Sequence, residues 1–292
     1  MRVTDSMVFA NMKRNVATRQ SAYALAQERA VSGHRVLQPS DDPYAFAQAR
    51  TETGNHARAE GYERTIGIAK PPLEAADSTL FEVDKIMVRI RDIAVQGAND
   101  VLTSTDRQTL SRELDSLRDQ LVTLGNSQAG ERYIFAGYKD AVAPYDAVGT
   151  YNGDTAVQQV EVARGVTLAV GVTGEQVFGT AGDDIFTTIT NLQTALASDI
   201  GTNVGDLIPE VDTRLELART AHSQIGVYLN AADISEAVAT RNQDLALTAR
   251  SKLIDNDAAD AYTDLVRAQT ALSAAIEIAA QLPPPGLVGR SR

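Results

Sequence analysis

The stretch SGHRVLQPSDDPYAF, residues 32–46, decides how the rest of the chain is read. On both sides lies Ala-rich, helix-forming sequence; here the chain stops, runs through polar and extended residues, and starts another helix. Gly33 suits the left-handed residue that closes a helix, because without a Cβ it meets no steric penalty there. Asp42 and Pro43 suit the N-cap and first position of the next helix. The carboxylate accepts from orphan amides at the positive end of the helix dipole, and the N–H that proline lacks is one a helix leaves unbonded anyway. Asp41 and Asp42 therefore read as capping chemistry before they read as an acid pair. The stretch predicts a hinge with two capped edges.

Composition says what such a hinge joins. The chain has 292 residues, 43% of them hydrophobic but only 5% aromatic and none Trp, so its apolar share is Ala, Leu, Val and Ile. Those are the residues of helix seams, and they favour bundles and coiled coils. Such a length allows one extended body or two domains with a real core. With no Cys, a disulfide framework, a thiolate nucleophile and a Cys-ligated zinc are excluded. The net charge of -11, with 27 basic residues scattered among 38 acidic ones, argues against binding a nucleic-acid backbone. ALSAAIEIAAQL, residues 271–282, falls short of the roughly 20 residues of a membrane span and carries Glu277, so membrane insertion is not expected. The opening MRVTDSMVFANMKRN lacks an apolar signal region and a cleavage site, which by itself reads as cytoplasmic.

Seven-residue periodicity dominates both ends. Residues 5–31 read as helix with a seam Phe9, Met12, Val16, Tyr23, Ala26, Ala30 that Arg19 interrupts. From Leu73, the positions Ala76, Leu80, Val83, Met87, Ile90 and Ala94 alternate steps of three and four along one helix face. After TSTDRQTL, where Thr105 and Gln108 have capping-box spacing, Leu110, Leu114, Leu117, Leu121 and Leu124 repeat the pattern, with Gly125 and Gly130 to close it. A third seam is Ile208, Val211, Leu215, Ala218, His222, Ile225 and Leu229. A fourth is Ile254, Ala258, Ala261, Leu265, Ala268, Leu272, Ala275 and Ala279, in a helix expected to begin near Ile234. Unbroken to Leu282, it would be a rod of about 49 residues and roughly 70 Å.

Between these arms the period changes. RYIFAGYK reads as a short strand and TYNGDT as an Asn-Gly hairpin. VQQVEV and VTLAVGV alternate like strands around ARG, and DDIFTTITNLQTALASD returns to helix. The expected fold is mainly α: a long antiparallel helical bundle or coiled-coil rod built from both termini, with a small β-rich insert in mid-chain. Three domains follow. Residues 1–32 with 255–292 form a terminal coiled coil; 33–131 with 184–254 form a helical rod, entered through a connector at 32–42; and 132–183 form the insert.

Catalytic templates fail in turn: there is no Walker loop, dinucleotide fingerprint, H-E-x-x-H or G-x-S-x-G. His34, His56 and His222 lie far apart in sequence, and His222 on a seam reads as a packed or partly exposed histidine. Asp255, Asp257, Asp260 and Asp264 do not make a calcium loop, whose sixth and twelfth places need Gly and Glu where this chain has Asp260 and Val266. They read as a solvated helix face. No enzyme, cofactor or metal is expected.

SGHRVLQPSDDPYAF resembles the N-terminal motif of the flagellin and hook-associated protein superfamily, and RYIFAGYKDAVAPY is similar to a segment that marks its hook-filament junction proteins. YNGDTAVQQVEVARGVTLAVGVTGEQVFG resembles that family's β insert, and DNDAADAYTDLVRAQTALSAAIEIAAQ its C-terminal helix. With the opening residues, the likeness covers nearly the whole chain in the right order. It implies an inner tube of paired terminal helices, a rod-like bundle outside it, and an insert facing solvent. Gly33, Arg35, Pro39, Ser40, Asp41, Asp42 and Pro43 would form the spoke between layers, and Met7, Met12, Tyr23, Leu265, Leu272 and Ile276 the inter-subunit contacts of the inner helices.

The partners implied are further copies of the chain, hook-associated protein 1 on the hook side, flagellin on the filament side, and an export chaperone with the type III export apparatus. That places the chain outside the cell without a cleaved signal, against the plain reading of its N-terminus. A terminal pair with one-sided seams should stay mobile until neighbours complete its core. One departure is the ending AAQLPPPGLVGRSR, where the family closes with an apolar, leucine-containing tail and the three prolines here would stop a helix after Leu282. The rival readings are flagellin itself, an enzyme borne on the insert, and an unrelated coiled-coil fibre protein.

Overall fold

The structure, a computed structural model, describes residues 5–99, 101–197 and 201–281. Helices α1 (Asp5–Ser32), α2 (Pro43–Gly97) and α3 (Ser104–Gly125) come first. Three small antiparallel strand pairs follow: β1 (Gln128–Ala129) with β2 (Arg132–Tyr133), β3 (Gln159–Ala163) with β4 (Val166–Ala169), and, beyond the short α4 (Gly174–Phe178), β5 (Gly179–Thr180) with β6 (Asp183–Asp184). The chain then returns to helix in α5 (Ile185–Ala197), α6 (Gly201–Gly205), α7 (Ile208–Ile254) and α8 (Ala258–Ala280). The fold is mainly α, with the strands confined to the middle of the sequence. Two compact units are distinguished, Met1–Arg58 with Asn242–Arg292, and Ala59–Arg241.

The second unit is built on the seams. Leu73, Leu80, Val83, Met87 and Ile90 of α2 are fully buried, as are Leu114 and Leu121 of α3. They share one continuous core with Val211, Ala218, Ile225 and Ala232 of α7, and with Phe135, Leu168 and Phe178 of the strand-bearing segment. That segment is therefore sealed into the bundle by its aromatic residues. Phe178 stacks edge-on to Phe135 and Tyr145, with centroids at 6.1 and 5.2 Å. Gly125 is the last residue of α3, and the Tyr145 ring lies 2.7 Å from where a Cβ would stand, so a side chain there would have to displace the ring.

Along α2 and α7, ion pairs recur every seven residues on the α2 side. Lys70 meets Asp233 and Glu236 at 2.7 and 3.0 Å, Asp77 meets His222 at 3.0 Å, Asp84 meets Arg219 at 2.7 Å, and Arg91 meets Asp212 at 2.6 Å. The partners run backwards along α7, so the helices are antiparallel.

Several expectations are corrected. The capping box of α3 is Thr103 with Asp106, whose side chains exchange bonds with each other's amides, so the helix starts before the expected Thr105–Gln108 pair. Gly130 turns β1 into β2 at φ +67 instead of closing α3. RYIFAGYK supplies only Arg132–Tyr133 as strand, because Phe135 and Ala136 turn into the core. TYNGDT forms no ladder hairpin: Tyr151 makes an isolated bridge to Tyr145, and the Asn152 N–H donates to Pro144 at 2.7 Å. VQQVEV and VTLAVGV do pair, as β3 and β4.

The largest correction concerns the last helix. It does not run unbroken from Ile234 to Leu282, and Leu282 lies outside the described residues. One helix of 47 residues starts at Ile208 and stops at Ile254; a second of 23 starts at Ala258. Asp257 is the N-cap that restarts it, accepting from the Ala259 amide at 2.7 Å. In the other direction, α2 is longer than its seam announced. It continues through Pro71 and Pro72, although proline removes an intrahelical hydrogen bond and crowds the preceding turn.

Candidate functional site

The hinge and the break at 255–257 form one joint. Helix α1 ends as Gly33, at φ +70, donates its N–H to Arg29 at 3.0 Å. The side of Gly33 where a Cβ would stand is open, so the glycine answers to conformation and not to space. The next residues lie antiparallel to the α7–α8 break. Arg35 donates its amide to Ile254 at 2.6 Å, and Asn256 donates to Gly33 at 2.8 Å. His34 Nδ1 and Asp255 Oδ1 share a bond of 2.8 Å. The Arg35 guanidinium reaches the Leu253 carbonyl at 2.9 Å and Asp42 at 3.4 Å.

The turn that follows is built by carboxylates. Pro39 and Ser40 occupy the exposed corner of a turn closed by the Asp41 N–H donating to Gln38 at 3.0 Å. Asp41 accepts from the Leu37 amide at 3.0 Å and from Gln38 at 3.3 Å, and Arg29 of α1 lies 3.8 Å away. Asp42 accepts from the Ala45 amide at 3.0 Å, so it is the N-cap of α2 with Pro43 at the first position. The Leu37 amide, helped by Gln38 and Arg29, holds the Asp41 carboxyl below the usual carboxylate range. The Ala45 amide, with Arg35, does the same for Asp42, and the Ser251 hydroxyl, with His34, for Asp255. Beneath these bonds Val36, Ala45, Ala49 and Ile254 form a separate small core.

All seven residues expected in the spoke are thus brought into one structure. Sequence reasoning missed the other half, Ile254, Asp255 and Asn256, against which His34 and Val36 of the expected connector lie. The signal was the run Asp255-Asn256-Asp257, three turn and cap formers set inside an otherwise regular seam.

Beyond the joint, α1 and α8 pack antiparallel, Ala279 near the end of α8 facing Phe9, Met12 and Val16 near the start of α1. Met12, Tyr23, Leu265 and Leu272 are half-buried along this pair, whereas Met7 and Ile276 are 57% and 52% exposed. Among the described side chains of α1 and α8, only Ala261 is buried. A furrow of about 330 Å³ runs over Phe9, Met12 and Val16. The expected seam is there, yet one helix covers only part of the other. No group of three or more His, Asp or Glu that would hold a metal occurs among the described residues, and no described helix is long and apolar enough to cross a membrane.

Residues 3–140 match the family model described as the bacterial flagellin N-terminal helical region. The flagellar hook-associated protein 3 of Salmonella typhimurium is 36% identical over 184 residues, which is 61% of this chain and 57% of that protein, so the match spans little more than half of the relative. The Escherichia coli protein of the same name is 29% identical over 303 aligned residues, 94% of both chains. Flagellins are less similar, that of Clostridium tyrobutyricum at 25%. A solved flagellar hook-associated protein from Vibrio parahaemolyticus, 24% identical, shares the fold over 74% of this chain and 100% of its own, with a TM-score of 0.66.

Proposed function

We infer that this chain belongs to the flagellin superfamily, on its hook-associated protein 3 branch, and is a structural, non-enzymatic protein of the bacterial flagellum joining the hook side to the filament. The observation that carries the assembly half of this reading is the α1–α8 pair, with Ala261 its only buried side chain among those described. An apolar seam that its own chain half covers is stable only when neighbouring copies cover the rest, so folding of this pair is coupled to assembly. Repeated head-to-tail contacts then give a ring or helical layer and not a closed pair.

In this proposal residues 1–32 with 255–292 form the inner layer, 33–131 with 184–254 the rod, and 132–183 the outward insert. The joint fixes where the chain passes from inner layer to rod. Met7, Met12, Tyr23, Leu265, Leu272 and Ile276 carry the inner contacts. Hook-associated protein 1 stands on the hook side and flagellin on the filament side, and the chain reaches this position by type III export with its chaperone. Greater likeness to the hook-associated proteins than to flagellins supports the junction over the filament itself.

The test is a strain lacking the gene, examined by electron microscopy with flagellin in the medium quantified. Hooks without filaments and flagellin shed into the medium are expected. Hooks bearing normal filaments would overturn the junction role, and bare hooks without secreted flagellin would favour a filament subunit.

A further inference from the structure

The unit Ala59–Arg241 carries two apolar surfaces that the described residues leave open. The first is a groove of about 770 Å³ between α2 and the strand-bearing segment. Ile68, Pro71 and Pro72 form one wall; Tyr133, Val160 and Val170 form the other. The two prolines leave the Gly67 and Ile68 carbonyls without the amides four residues on, and Ile68 is 73% exposed beside them. Gly130, Gly137 and Gly171 also line the groove, so parts of it are bare backbone that a helix can approach closely.

The second surface is convex. Val211, Ala218, Ile225, Ala232 and Ala239 of α7 are buried at steps of seven. Val227, two residues past Ile225, is rotated by about 200° from that seam. Val227, Ile234 and Val238, at steps of seven and four, therefore form a stripe on the opposite face, 57%, 59% and 46% exposed. No α7 residue lines the groove, so within one chain the stripe does not fill it.

We propose that the stripe of one copy docks in the groove of the next, as an apolar helix face laid into a groove. This rests on the self-assembly reading above and adds to it a contact outside the inner helices. The occupant is a second copy because each surface lacks what the other offers. The groove is concave and a groove-to-groove contact would stay hollow, and a convex stripe needs a hollow to be covered. Charge agrees. In a chain of net charge -11 a self-contact must bring few uncompensated acids together. The acid lining the groove, Asp140, is already paired at 3.2 Å with Arg132 of the same lining, and the acids beside Ile234 on the stripe, Asp233 and Glu236, are paired with Lys70 at 2.7 and 3.0 Å, so the contact brings none of these acids unpaired onto another. The contact is heterologous, one surface meeting a different one, and so propagates around a layer instead of closing a dimer.

The absence of Cys makes the test direct. Full-length Ile68→Cys and Ile234→Cys variants are prepared separately, mixed, assembled on filament-less hooks and oxidised. A disulfide-linked dimer should form in the mixture and not in either variant alone, and adding Val227→Asp to the Ile234→Cys chain should remove it while the melting temperature holds. Ile234→Cys linking to itself would mean a two-fold, stripe-to-stripe contact and overturn the proposal. A junction layer seen by electron microscopy without the mixed link would overturn this contact alone. If the unmodified chain forms no layer on hooks, the assembly reading fails and the contact with it.

Discussion

The two seams of this molecule are written in the same alphabet and end in opposite states. Where α2 and α7 face each other the seam positions are almost wholly covered, Ile90 and Ile225 both at 0% exposure; along α1 and α8 the equivalent positions are half-open. The difference is not hydrophobicity, since α8 is rich in Ala, Leu and Ile. It is the number of neighbours. The α2 seam has α3, α7 and the strand-bearing segment to cover it, whereas α1 and α8 have each other. One seam is closed within the chain, and in the other each helix covers only part of its neighbour.

The sharpest way to break this contrast is Leu272→Asp, which places a charge on the α8 seam. Assembly onto hooks should be lost altogether in a motility and electron microscopy assay while the urea transition of the isolated protein is unchanged; normal motility would remove Leu272 from the inner contacts. Leu80→Ala should do the reverse, costing about 2 to 5 kcal/mol in urea unfolding because it leaves a cavity in a closed core. Leu272→Ala, by the same reasoning, should cost the free protein much less than Leu80→Ala, and an equal loss would mean the two seams do not differ. Gly125→Ala forces a Cβ against the Tyr145 ring and should cost about 1 to 3 kcal/mol, read from the same transition. Asp42→Ala removes a cap and should cost about 0.5 to 2 kcal/mol, seen as faster amide exchange at the start of α2.

The smallest effect expected is with pH. The carboxyls of Asp41, Asp42 and Asp255 are all held below their unfolded value near 3.9. Their contribution is therefore present above about pH 4 and is lost as the pH falls through the folded values. Protection factors of the Leu37, Gln38 and Ala45 amides, meaning exchange corrected for the intrinsic rate at each pH, should fall on acidification below pH 4 and stay flat from pH 5 to 8; protection unchanged by acid would mean that these carboxylates do not hold the turn.

What could be read in advance divides along physical lines. Seams, caps and the β3–β4 pair are local patterns, and Leu73 to Ala94, Asp42 with Pro43, and VQQVEV with VTLAVGV all appear where the pattern put them. Half of the joint was legible for the same reason. The other half was not, because Asp255 and Asn256 take their meaning from Gly33 and His34, more than two hundred positions away. Periodicity alone carried the eye across the break, since the step from Ile254 to Ala258 keeps the seam in phase. Burial of Arg107, which donates to Gly97 and Asn99 at 3.0 and 3.2 Å and ties the end of α2 to α3, had no sequence signature at all.

The charges that recur along α2 have one more consequence. On the buried face of α7 three of the five positions at steps of seven are alanine, Ala218, Ala232 and Ala239, so packing alone distinguishes a slip of one heptad only at Val211 and Ile225. The signs oppose such a slip. In the native register all four α2 charges meet opposite signs; slipped one way, Asp77 would face Asp233 and Arg91 would face Arg219, and slipped the other, Asp84 would face Asp212 and only Asp77 would meet an opposite charge, Arg219. The ladder works as a vernier, reading true at one alignment only, so a chain that folds from an extended state locks its two longest helices in a single register.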